Sequence, residues 1–228
     1  METILPLPPP VLIQVKGEAG GFPVRRIYCV GRNYADHVRE MGGDPQREPP
    51  FFFGKPRDAA VPGGGPVAYP PATANLHHEV ELVVALGRGG RDIPVDEALD
   101  CVYGYAVGLD LTRRDLQASA KEKGQPWDMA KGFDQSAPVG LIHPVAQVGH
   151  LAAGAIWLDV NGQERQRGDL SQMTWRVAEI LAQLSSFVEL APGDLVFTGT
   201  PSGVGRLQKG DRVHCGIDGL GLLDINLT

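Results

Sequence analysis

The sequence predicts a β-rich α+β fold. Thirty glycines and nineteen prolines punctuate short apolar runs along 228 residues. Two pairs of runs fold back around dipeptides that favour hairpin turns, and few segments keep a helical period. In chain order, residues 1–24 read as an irregular or extended arm, and the main domain runs from 25 to 228. RRIYCV (25–30) is a strand, followed by a short helix in NYADHVREMG that closes on Gly42 and Gly43. FFFGKP (51–56) and VELVVALG (80–87) are further strands. DEALDCV (96–102) reads as a short helix, and VYGYAVGLDLT (102–112) as an apolar strand. LTRRDLQASAKEKG has Thr112 and Asp115 in a capping-box pattern and ends at Gly124. Asn161-Gly162 and Asp218-Gly219 each mark a type I′ hairpin. MTWRVAEILAQLSSFV is the longest helix, with Val177, Ile180, Leu181, Leu184 and Val188 forming its apolar stripe. No repeat, low-complexity tract or linker divides the chain, so one domain is expected.

Composition narrows the function. The chain is 43% apolar and 21% charged, with 21 basic against 27 acidic residues, for a net charge of −6. No run of Lys or Arg marks a nucleic-acid or anionic membrane surface, although a local basic pocket for a small anion stays open. No apolar stretch approaches the roughly 20 residues that span a bilayer. The first 21 residues lack a basic n-region and contain four prolines, which makes a poor signal peptide. Cys29, Cys101 and Cys215 are odd in number and lack CxxC spacing. Free thiols in a reducing cytoplasm are the expectation, ahead of a disulfide or zinc framework.

The segment NLHHEVELVVALG carries the main chemical signal. Strand alternation puts His77, Glu79 and Glu81 on one face, with the two glutamates roughly 6.5–7 Å apart. A wet face or cross-strand Lys or Arg partners would explain the pair without function; a shared cation would also explain it. Asp110 ends the next apolar strand and could be an ordinary turn residue or a third ligand. Three carboxylates without a nearby cysteine suit a hard divalent cation such as Mg²⁺ or Mn²⁺, with positions left for water and substrate. Zinc through His77 and His78 ranks behind, since neighbouring side chains point to opposite faces.

GRNYADHVREMG, NLHHEVEL, GLDLTRRDLQ, PWDMAKGFDQSAPVG and FTGTPSGVG, in this order, resemble the fumarylacetoacetate hydrolase family, in particular its short acylpyruvase and fumarylpyruvate hydrolase branch. The likeness runs from about Arg25 to the C-terminus. It implies a mixed β-sandwich roll with a short lid helix, a homodimer, and a divalent ion held by Glu79, Glu81 and Asp110. It also implies a catalytic dyad of His37 and Glu40, an active-site Lys131, Gln117 beside the reacting carbon, and substrate contacts from Arg32, Lys55 and Thr200. The activity implied is cleavage of an acylpyruvate, as in aromatic catabolism, to pyruvate and a carboxylic acid. The partner expected is a 2-oxo acid, with neither nucleic acid nor membrane.

The residue types suit that chemistry. His37 and Glu40 are three apart and share a helix face, where a carboxylate can orient an imidazole as general base; an exposed helix with a chance His and Glu is the plain alternative. Lys131 could stabilise an oxyanion or protonate the departing carbon, or be a surface lysine. FTGTPSGVG offers backbone N–H groups and the Thr198 and Thr200 hydroxyls to an anion; it is not a P-loop. Arg32, Arg113 and Arg114 are candidates for a distal carboxylate. Two rival readings are retained. One is oxaloacetate decarboxylase, tautomerase or oxo-dienoate hydratase or isomerase chemistry on the same scaffold. The other is a non-catalytic β-domain with a structural cation.

Overall fold

The computed structural model describes residues 3–42 and 48–228, and at Val38 the backbone alone. Its centre is a mixed eight-stranded sheet built around two long antiparallel strands, Val80–Leu86 and Val102–Leu109. Asp194–Phe197 flanks the first of these and runs parallel to Arg26–Gly31, which pairs with Phe51–Lys55 at the edge. Every residue of Val80–Leu86 is buried. Such a strand must be apolar on both faces, which is why VELVVAL does not alternate apolar with polar beyond Glu81.

The two faces bury different partners. Val80, Leu82, Val84 and Leu86 join the larger core, together with a second, five-stranded sheet centred on Ala155–Val160 and Arg212–Ile217 and with the helix Val177–Phe187. Val83 and Ala85 face a smaller core that includes Ile27, Cys29 and Phe197. The N-terminal hairpin, Leu12–Gln14 with Gly21–Pro23, closes that smaller core through Ile13, Val15, Phe22 and Val24. Part of the expected arm is therefore folded, because its alternating apolar residues have a sheet face to cover. Leu82 lies at the sheet centre and is 0% exposed. Leu82→Ala should cost about 2–5 kcal/mol, read from urea denaturation; a loss below about 1 kcal/mol would contradict its place in the core.

Other elements follow the expectation with instructive differences. Asn161 and Gly162 both take positive φ, 53° and 77°, and join Ala155–Val160 to Gln163–Asp169 as expected for type I′. At the second hairpin only Gly219 of the pair is positive, at 82°, and the Leu220 amide donates to the Ile217 carbonyl. This is a type II arrangement, and Gly221 (φ 73°) absorbs the third loop residue. The helix stripe Val177, Ile180, Leu181 and Leu184 is buried as read. DEALDCV forms only a 3-10 turn, Ala98–Cys101.

The capping box at Thr112 is absent. Thr112 Oγ1 donates to the Asp110 carbonyl, and Asp115 accepts from Thr73 and Ala74, so the helix Arg114–Glu122 starts with no side-chain cap. Its end at Gly124 (φ 62°) agrees with the sequence. The lid helix spans Ala35–Glu40; Gly43, the second half of its expected stop, lies outside the described residues. All three cysteines are buried and free, and no described helix is long and apolar enough to cross a membrane.

Candidate metal and substrate site

The strand read as one unit breaks at Glu79. Leu76–His78 joins a small sheet with Thr112–Arg113 and Gly205–Leu207, while Val80–Leu86 enters the large one. Glu79 sits at the seam, and the Asp110 amide donates to its carbonyl at 2.9 Å. That bond continues the antiparallel register in which Val80 faces Leu109 and Glu81 faces Gly108. The three carboxylates therefore reach one face, with ligand oxygens all within 4.8 Å of one another and each residue buried.

Their charges are compensated unevenly. Lys131 Nζ donates to Glu79 at 2.8 Å, Asp110 at 2.6 Å and Thr112 Oγ1 at 2.7 Å, using all three of its protons. Arg114 donates to Glu79 at 2.5 Å, and Lys55 Nζ lies 2.8 Å from Asp110 Oδ1. That oxygen receives no hydrogen bond of proper geometry, so this contact is an ion pair only. Burial alone would raise Glu79, yet Lys131 and Arg114 hold its carboxyl well below the usual range. Burial would lower Lys131, and Asp110 and Glu79 raise it instead.

Among the described residues Glu81 has no such ion pair, and its one hydrogen bond comes from the Gly199 amide at 2.7 Å. Burial, reinforced by Asp110 and Glu79, pushes its carboxyl well above the ordinary value. A buried carboxylate crowded by two others, with no cation of its own, fits a divalent ion as the missing charge. The donor set is all oxygen. His77 is occupied by Asn75 and Arg114 and His78 by Gln166, so neither belongs to the cluster and zinc through them is set aside. Burial and then Arg114 push His77 down to about 4.

A narrow cleft, partly open to solvent, lies over the triad. His37 lines it, and His37 Nδ1 is 3.2 Å from Glu40 Oε2. Glu40 is held in turn by the Gly203 amide, at 3.0 and 3.1 Å. Several donors of the loop read as an anion site are engaged by the protein itself. Thr198 and Thr200 donate to the Leu82 and Val80 carbonyls, and the Gly199 and Gly203 amides hold Glu81 and Glu40. One short loop thus fixes both a carboxylate of the triad and the dyad. Gly199 has φ 95°, and a Cβ there would fall 2.7 Å from Asn33 Cβ. Gly199→Ala should cost about 1–3 kcal/mol and weaken Mn²⁺ binding, checked by thermal melting and metal titration.

Gln117 and Arg32 also line the cleft, with Gln117 Oε1 accepting from Arg114 at 2.6 Å. Lys55 is placed differently from the expectation. It is buried behind Asp110 with its Nζ on the Leu111 and Lys131 carbonyls, and so braces the floor. Lys131 is likewise a partner of the carboxylates with no proton to spare. Of the three arginines, Arg113 stacks on Phe133 and Arg114 is consumed by Glu79, which leaves Arg32. Sequence reasoning missed Lys121 and Trp127 in the cleft wall. It also missed Asn33, whose amide donates to the Thr198 and Trp175 carbonyls and anchors the entry to the lid helix. The Arg114–Gln117 contact was available from their i,i+3 spacing; Asn33 carried no signal.

The family model for the fumarylacetoacetate (FAA) hydrolase C-terminal region matches residues 26–227. The chain belongs to the fumarylacetoacetate hydrolase family. As a member it shares the β-rich, few-helix fold of enzymes with more than one activity. The structure of fumarylpyruvate hydrolase from Pseudomonas aeruginosa, in complex with Mn²⁺ and pyruvate, superimposes with a TM-score of 0.97 at 53% identity, covering 100% of this chain and 99% of that one. The mitochondrial oxaloacetate tautomerase FAHD1 of Rattus norvegicus is 46% identical over 196 residues, 86% of this chain and 88% of the relative. The mitochondrial oxaloacetate decarboxylase of Dictyostelium discoideum is 43% identical over 197 residues, 86% of this chain and 90% of the relative.

Proposed function

We propose that the chain is a divalent-metal-dependent hydrolase that cleaves an acylpyruvate of the fumarylpyruvate type, with water, to pyruvate and a carboxylic acid. The observation that carries this reading is the His37–Glu40 pair. His37 lines the same cleft as the acidic triad, and Glu40, itself pinned by the Gly203 amide, holds the imidazole from behind. Tautomerisation or decarboxylation needs no activated water; hydrolysis does. The likeness to a fumarylpyruvate hydrolase over its whole length supports the same reading.

Glu79, Glu81 and Asp110 would hold the ion, with Mg²⁺ favoured and Mn²⁺ able to replace it. The ion would supply Lewis acidity toward the oxo-acid end of the substrate. Glu40 accepts from Nδ1–H of His37, which leaves the lone pair on Nε2 as the base. His37 takes a proton from water as the water oxygen bonds to the acyl carbonyl carbon. Its imidazolium is stabilised by Glu40 and gives the proton up to solvent, and the pyruvyl methylene carbon takes a proton from solvent once the carbon–carbon bond breaks. Lys131, raised and fully donated to its neighbours, holds the carboxylates in place and does not serve as the acid. Gln117 has its oxygen committed to Arg114, so its NH₂ group is the donor for the oxygen that gains charge. The homodimer belongs to the same reading and is checked by light scattering.

A second reading, oxaloacetate tautomerase or decarboxylase, is favoured by the 46% and 43% identical relatives. One experiment separates them: purified, metal-defined protein assayed on fumarylpyruvate, maleylpyruvate, acetylpyruvate, oxaloacetate and fumarylacetoacetate, with and without EDTA. The hydrolase reading expects an acylpyruvate to give the highest kcat/KM by at least tenfold, with turnover lost in EDTA and restored by Mg²⁺. Preference for oxaloacetate establishes the second reading, and turnover insensitive to EDTA ends both.

A further inference from the structure

The mouth of the cleft carries two cations that the reaction outlined above does not use. Arg32 and Lys121 both line it and both are exposed. Neither has a carboxylate partner among the described residues, in contrast to Lys55, Arg114 and Lys131 on the floor. They are mutually repulsive: burial, then Arg32 and Arg114, lower Lys121.

Both are nevertheless held toward the cleft by one aromatic cluster. Trp127 packs against Phe51 and Phe53 with ring centroids 5.1 and 5.9 Å away. Lys121 Nζ sits 5.4 Å from the Trp127 centroid, and the Arg32 guanidinium 5.9 Å from that of Phe51. Such seats favour a cation and limit its freedom. The backbone is shaped for the arrangement. Gly31 leaves the space for the Phe51 ring, which a Cβ would meet at 2.1 Å. Arg32 itself takes φ 62°, an uncommon conformation for a residue with a side chain. Strain held at a cleft-lining residue points to use.

Charge then names the ligand. On the floor, three carboxylates face three cations, and a divalent ion would add positive charge. An acylpyruvate with one carboxylate leaves Arg32 and Lys121 without a counter-ion; one with a second carboxylate supplies it. We propose that Arg32 and Lys121 bind a carboxylate at the far end of the acyl group, making the site selective for dicarboxylic over monocarboxylic acylpyruvates. This rests on the acylpyruvate reading and adds specificity residues to it.

The test compares kcat/KM for fumarylpyruvate and acetylpyruvate in the native protein, Lys121→Met, Lys121→Arg and Arg32→Met, with thermal melts to confirm folding. The expected result is a fumarylpyruvate preference that falls at least tenfold in each methionine variant, chiefly through KM, and is kept in Lys121→Arg. Lys123→Met, exposed on the same helix end and outside the cleft, should keep it too. Equal losses on both substrates, or an unchanged preference, would overturn the proposal.

A binding arm makes the result independent of turnover. Fumarate and crotonate, alike except for the second carboxylate, are titrated into metal-free protein and followed by NMR. Tighter binding of fumarate that is lost in Lys121→Met supports the pair as a carboxylate site even if neither acylpyruvate is hydrolysed, in which case the hydrolase reading alone fails. Equal binding of the two acids overturns the proposal.

Discussion

Glu81→Gln is expected to remove metal-dependent activity, by a factor of a thousand or more, while leaving the metal-free protein as stable as the native chain or more so. The reason lies in how the triad is compensated. Glu79 is tied to Lys131 and Arg114, and Asp110 to Lys131 and Lys55. Among the described residues Glu81 accepts one hydrogen bond, from a backbone amide, and is crowded by two like-charged neighbours whose effect Lys131 offsets only in part. A neutral amide of the same shape keeps an acceptor for the Gly199 N–H and removes the repulsion. Glu79→Ala behaves oppositely, because it uncovers the buried charges of Lys131 and Arg114, a loss of about 3–5 kcal/mol.

The same asymmetry has a pH signature. Burial raises the folded-state carboxyl of Glu81 above its ordinary 4.5, so the folded chain retains a proton that the unfolded chain gives up. Stability of the EDTA-treated protein should therefore decline as pH rises above that value, and Glu81→Gln should flatten the slope. Mn²⁺ affinity should rise over the same interval, since the ion must displace the proton. Calorimetric Mn²⁺ titrations and melts at several pH values check all of this. Retained Mn²⁺ affinity in Glu81→Gln, or a collapse of its metal-free fold, would remove the triad from the account.

How much of this could be read beforehand depends on the range of the interaction concerned. Asn161-Gly162 and the Val177–Leu184 stripe act over a few residues, and both were legible. Glu79, Glu81 and Asp110 were legible because each stands out against an apolar strand. The break of that strand at Glu79 was not, since Leu76–His78 leaves the large sheet to pair with segments more than 30 and 120 residues away. The surroundings of Lys55 and Lys131 were not legible for the same reason. A lysine's spacing says nothing about which buried carboxylates will meet it, and here those carboxylates take every proton Lys131 has. Capping followed suit: Asp115, expected to cap its own helix, is drawn instead to Thr73 and Ala74.

His37→Ala should divide the activities that the family's members share. Removing the base is expected to lower acylpyruvate hydrolysis by about 10²–10⁴, with Glu40→Gln falling short of that because the imidazole survives with a weaker orienter. Oxaloacetate decarboxylation or tautomerisation, where present, should retain a substantial part of its rate, because the triad, Arg114 and Gln117 do not depend on the lid. The lid is also a safe place to cut. Ala35–Glu40 is six residues long and too short to be stable alone, so its position is set by Asn33 at one end and by the Glu40–Gly203 contact at the other. His37→Ala takes the imidazole away from Glu40 but leaves the Gly203 amide on that carboxylate and Asn33 in place, and its melt should stay within a few degrees of the native chain. Single-turnover assays on acetylpyruvate and oxaloacetate with the same enzyme and metal measure both rates. Equal loss of the two would mean that His37 serves a step common to them, such as proton transfer at the pyruvyl carbon, and would withdraw its assignment as the base for water alone.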